Sequence, residues 1–115
     1  MAQRRKSLIK PRSIAFSRQS GYCFYCSQPM WTDSLEQFAE KHKITLGQAK
    51  LLQCTGEHLT AHHKGGSADR VNIVAACFYC NQGRHKRKNP PEPEQYKQLV
   101  HQKLSKGGWH QLRIN

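Results

Sequence analysis

GEHLTAHHKGGSADRVNIVAACFYCN, residues 56–81, holds the chemistry of this chain in one stretch. It carries a Glu57-His58 pair, a Gly65-Gly66 turn and an apolar run from Val71 to Ala76. It closes on Cys77-x-x-Cys80, followed at once by Asn81. Upstream, GYCFYC at residues 21–26 supplies a matching pair, Cys23 and Cys26. A two-residue spacer lets both sulfurs of a pair face one ion, and four thiolates satisfy tetrahedral zinc with no open position. Fifty residues lie between Cys26 and Cys77, so such an ion would tie distant parts of the chain together. A redox Cys-x-x-Cys is the competing reading, and two matched pairs argue against it.

The totals bound what surrounds that stretch. The chain has 115 residues, enough for one domain. Only 37% of them are hydrophobic, and the mean hydropathy is −0.82. So polar a chain gains from a metal staple, and zinc binding contributes about 10–16 kcal/mol in zinc-finger peptides. Nineteen Lys and Arg against seven Asp and Glu leave a net charge of +12. That charge points to a polyanionic partner, nucleic acid first and a membrane surface second. A bilayer span needs about 18 apolar residues in a row, and there is no such run. MAQRRKSLIK lacks the apolar core of a signal peptide. The cysteines therefore read as metal ligands in a reducing, cytoplasmic setting rather than as disulfides. Cys54, the odd one, reads as a small buried strand residue.

Three parts follow along the chain. Residues 1–18 hold Arg4, Arg5, Lys6, Lys10, Arg12 and Arg18 with no acid, interrupted by Pro11, and read as a mobile basic arm or a solubilising tail. Residues 19–89 form the main domain, with a helical insertion at 31–52. Ser34 with Gln37 and Thr45 with Gln48 have the spacing of helix-start signals. Residues 53–60 and 71–76 predict a two-stranded hairpin. A helix is expected from Cys77–Cys80 through Asn81, Arg84 and Lys88 up to Pro90. Residues 90–115 hold a stiff proline joint and a C-terminal amphipathic helix closed by Gly107.

Phosphodiester hydrolysis needs a base to activate water and a cation to neutralise the phosphate and leaving oxygen. His58 offers a neutral imidazole near neutral pH. Glu57 offers a carboxylate oxygen and Asn81 an amide oxygen, both suited to Mg2+ or Mn2+. Neighbouring strand residues face opposite ways, so Glu57 and His58 serve one site only where the strand ends or twists.

These residues, in this order, resemble the HNH endonuclease family over about residues 20–88. Asn81 in place of a third histidine makes the chain an HNN-type variant. Glu57 stands where aspartate is commoner and Ala61 where proline is common, and the 31–52 insertion is unusual. The resemblance implies an α+β ββα-metal domain with a four-cysteine zinc site and added helices. It implies that His58 is the general base, that Asn72 orients the loop bearing it, and that Glu57 and Asn81 hold the catalytic ion. It implies structural zinc on Cys23, Cys26, Cys77 and Cys80. Duplex DNA would be the substrate, with the ββα element entering one of its grooves and cleavage leaving a 5′-phosphate.

His62 and His63 read first as ordinary loop residues, with metal or phosphate contact as the alternative. His42, His85, His101 and His110 read as surface histidines, and Trp31 and Trp109 as core or cover. Arg84, Lys86, Arg87 and Lys88 read as phosphate contacts, which position a protein without specifying sequence. So short a chain leaves target choice to the arm, the C-terminal helix, a homodimer or a partner. A non-catalytic zinc module that binds nucleic acid, or a structural part of a larger assembly, would share the charge and the cysteines. Neither accounts for Glu57, His58, Asn72 and Asn81 in that order.

Overall fold

Cys54–His58 (β1) and Ile73–Cys77 (β2) pair antiparallel, with Cys54 opposite Cys77 and His58 opposite Ile73. The computed structural model describes residues 6–59 and 72–114, so the turn with Ala61, His62, His63 and Gly65-Gly66 lies outside the described residues. The helices in chain order are α1 (Lys6–Arg18), α2 (Leu35–His42), α3 (Leu46–Lys50), α4 (Phe78–His85) and α5 (Pro93–Ser105). The order β1, β2, α4 around a four-cysteine cluster is the ββα-metal fold, with added helices. None of the described helices is long and apolar enough to cross a membrane.

Every residue of β2 is buried. A strand apolar on both faces needs cover on both, and α1 and α4 each pack against the sheet. The outer edge of β2 is covered as well. Gln19 acts there as a strand partner: its Oε1 accepts from the Ala75 N–H at 2.9 Å and its Nε2 donates to the Ala75 carbonyl at 2.9 Å. Phe24 N–H also donates to that carbonyl, and Arg18 Nη2 donates to the Ile73 carbonyl at 3.2 Å. An uncovered edge would leave these backbone groups unmet or open to another chain.

The stretch read as a basic arm is therefore helical from Lys6 to Arg18. Pro11 lies inside the helix and removes one N–H, a loss that usually ends a helix. Tertiary docking outweighs it here: Ala15 is fully buried, and the helix end caps β2. The chain leaves α1 by a Schellman turn, with Ser20 at φ 56° and Gly21 donating to the Phe16 carbonyl.

Both helix-start signals in the insertion operate. Ser34 caps α2 by accepting from the Gln37 N–H, and Thr45 and Gln48 form a reciprocal capping box on α3. Trp31 anchors the insertion to the sheet, donating from Nε1 to the Ala49 carbonyl and accepting from the Cys54 N–H. After α4, which ends at His85 and leaves Lys88 beyond it, Pro93 opens α5. Tyr96, Val100 and Leu104 recur every fourth residue as its buried stripe.

Replacing Gln19 by Ala removes both side-chain partners of the buried Ala75 peptide. The expected cost is about 1–3 kcal/mol of stability, read by chemical denaturation. An unchanged midpoint would show that the edge needs no such partner.

Candidate active site and metal centre

The first centre is built from the two Cys-x-x-Cys turns. Cys23, Cys26, Cys77 and Cys80 are buried, and their sulfurs all lie within 4.8 Å of one another. Zinc–sulfur bonds of about 2.3 Å put tetrahedral sulfurs roughly 3.8 Å apart. The Cys26 and Cys77 sulfurs are 3.9 Å apart. Backbone N–H groups already point at these sulfurs as they would at thiolates. Tyr25 and Cys77 donate to Cys23 Sγ at 3.3 and 3.2 Å, and Cys80 donates to Cys77 Sγ at 3.4 Å. Burial pushes the Cys77 and Cys80 thiols well above their usual pKa, so ionising all four calls for a cation among them. The donor set fits a metal such as zinc. Cys54 is also buried but outside the cluster, a core residue at the start of β1.

The second centre forms where α4 lies over β1. Alternation along the strand puts Thr55 and Glu57 on one face. On α4, Asn81 and His85 are four residues apart and share a face. The two rows meet. Asn81 Nδ2 donates to Thr55 Oγ1 at 2.9 Å and to the Gly56 carbonyl at 3.2 Å. His85 Nε2 lies 2.8 Å from Glu57 Oε1.

The other carboxylate oxygen of Glu57 is tied down. Tyr25 OH donates to Oε2 at 2.9 Å and Arg84 Nη1 at 3.1 Å. Glu57 is 2% exposed and Arg84 6%. Arg84 Nε also donates to the Pro91 carbonyl at 3.0 Å, holding the proline joint against α4. Burial first, and then the charge of Glu57, drive the Tyr25 hydroxyl far above its usual pKa, so it stays a donor.

His58 is half-buried at the last position of β1, next to Glu57 and where the strand ends. The Asn72 carbonyl accepts from the Leu59 N–H at 2.8 Å, which brings Asn72 beside the chain that leaves His58.

Three residues of the second centre escape a reading of the sequence. His85 reads as a surface histidine, yet it stands at the carboxylate. Arg84 reads as a phosphate contact, yet it is a buried partner of Glu57, which leaves Lys86, Arg87 and Lys88 as the exposed basic run. Tyr25 reads as a spacer between zinc ligands. The four-residue step from Asn81 to His85 is the signal that could have found the first.

Hairpin, helix and thiol cluster together define a small ββα-metal domain. A model of the family described as HNH endonuclease matches residues 23–87. That is more than half of the chain, from the first cysteine to the basic run after α4, and the chain belongs to this family. No curated protein and no solved structure matches it.

Metal analysis is expected to find one zinc per chain. Cys77→Ser should lose the metal together with the cooperative thermal transition, because binding and folding are one equilibrium at such sites. A zinc-free wild-type protein with the same melt would refute this.

Around Glu57 the stability cost should follow charge. Arg84→Met strips a buried carboxylate of its cation and should cost about 3–5 kcal/mol. Tyr25→Phe removes one neutral donor and should cost about 1–3 kcal/mol. Denaturation curves giving the opposite order would mean that Arg84 does not neutralise Glu57.

Proposed function

We propose that the protein is a divalent-metal-dependent endonuclease that hydrolyses phosphodiester bonds in DNA. His58 is the general base, and Asn72 orients the loop that follows it. Glu57 and Asn81 hold Mg2+ or Mn2+, and His85 joins them as a ligand. The observation that carries the reading is the split environment of Glu57. Oε2 is engaged by Tyr25 and Arg84, while Oε1 faces His85 Nε2 at 2.8 Å. Neighbouring ligands on an octahedral ion at about 2.1 Å stand roughly 3.0 Å apart. The carboxylate and imidazole are thus spaced as such a pair with little movement.

In that reading a bound ion neutralises charge on the phosphate and the leaving oxygen. The protein's own groups do the rest. His58 takes a proton from the attacking water at its imidazole nitrogen. Tyr25 and Arg84 keep Glu57 in one orientation. Lys86, Arg87 and Lys88, exposed beyond α4, hold the substrate backbone.

A second reading has its own support. Glu57 is 2% exposed and already paired with Arg84, as in a purely structural ion pair, and the chain would then be a zinc module that only binds nucleic acid. Plasmid nicking separates the two. His58→Ala should lose about 10²–10⁴-fold in rate while keeping fold and DNA binding. Glu57→Ala, Asn81→Ala and His85→Ala should recover part of their loss at high Mn2+, since ligand defects yield to metal concentration and a missing base does not. A His58→Ala protein as fast as wild type would leave only the binding module.

A further inference from the structure

We propose that the C-terminal tail, residues 109–114, is an outer clasp on the four-cysteine centre, with Trp109 as the positioning residue for the Cys80 sulfur. The inference rests on the cysteine site alone and is independent of catalysis.

Trp109 Nε1–H donates to Cys80 Sγ at 3.2 Å. His110 is 8% exposed, and its Nδ1 accepts from the Leu112 N–H at 3.0 Å. A neutral ring that accepts at Nδ1 carries its proton on Nε2. That Nε2 is buried with no hydrogen-bond partner. The segment therefore reaches a sulfur of the second Cys-x-x-Cys turn. It also binds the first turn directly: Ile114 N–H donates to Gln28 Oε1 at 2.6 Å, and the Gln28 carbonyl accepts from the Cys23 N–H.

Two further features show the cost at which this tail is held. Trp109 and Gln111 sit at φ 68° and 64°, a left-handed region that is costly for non-glycine residues and persists only where contacts impose it. Gly83 lies inside α4, where glycine is a weaker helix former than alanine. A Cβ there would come within 2.8 Å of Tyr96 OH and 3.1 Å of the Trp109 ring. The helix thus has no side chain where the indole must pass. Tyr79, between the second pair of cysteines, takes both tail rings edge-on, Trp109 at 5.0 Å and His110 at 5.5 Å.

The chemical role follows. Four thiolates around Zn2+ leave roughly two units of negative charge in a buried place. N–H donors in the outer sphere spread that charge, fix the sulfur lone pairs and slow metal loss, and removing such partners typically costs about 10–100-fold in metal affinity.

The test uses the full chain. Zinc transfer to a chromogenic chelator should be at least about 10-fold faster in Trp109→Phe, which keeps an aromatic ring beside Tyr79 and removes the N–H donor. His110→Ala should act in the same direction. In cobalt-substituted protein, the sulfur-to-cobalt charge-transfer band should move to longer wavelength in Trp109→Phe, a shift that lost packing alone would not produce. Wild-type protein loaded with 113Cd supplies a measurement that needs no variant: the Trp109 indole proton should show scalar coupling to the metal through Cys80. No such coupling, or unchanged release and band position in folded variants, overturns the proposal.

Discussion

Four buried sulfurs within reach of one cation are the constraint on which this structure depends. They join the turn at residues 23–26 to the corner where β2 becomes α4. The helices of the insertion and the whole of β1 lie in the loop that this junction closes. Loop closure costs grow only slowly with length, so a metal can hold that junction across the inserted helices. Trp31 then ties the insertion to Cys54, and β1 starts in register with β2. The sulfurs also organise their own neighbourhood, since backbone N–H groups of Tyr25, Cys77 and Cys80 point at them.

The carboxylate of Glu57 depends on the same junction. Its partner Tyr25 sits between the first two cysteines. Arg84 and His85 stand on the helix that begins at Cys77. The three side chains reach Glu57 only while both Cys-x-x-Cys turns are held together. A metal held at the first centre would thus place the groups of the second, although no residue is shared between them. The division of labour at Glu57 follows from burial. One oxygen is satisfied inside the protein by a hydroxyl and a guanidinium, while the other faces a histidine that is half open to solvent.

Charge has two separate uses here. Arg84 is turned inward and neutralises a buried carboxylate, so it adds nothing to the surface field. Lys86, Arg87 and Lys88 follow it and are exposed, at the end of the helix that carries Asn81 and His85. A run of four basic residues in the sequence is therefore one internal ion pair followed by an external cationic patch. The change falls where α4 ends and its inner face no longer has a strand to meet.

Local pattern by itself determined the two cysteine pairs of the cluster, the hairpin, the capped helices of the insertion and the family. Each rests on residues close in sequence: a two-residue cysteine spacer, a capping spacing, an apolar run. It also pointed to Glu57 and Asn81 beside the second pair of cysteines. Only tertiary structure decided that residues 6–18 are helical, because the gain comes from capping β2 rather than from α1, which Pro11 weakens. Only tertiary structure decided the surroundings of Glu57, because Tyr25 lies 32 residues before it and Arg84 27 after it. The same holds for Trp109, which has no local pattern and takes its meaning from the Cys80 sulfur it meets. Short-range order is written in neighbouring side chains, whereas a partner distant in sequence is chosen by how the packed elements bring surfaces together.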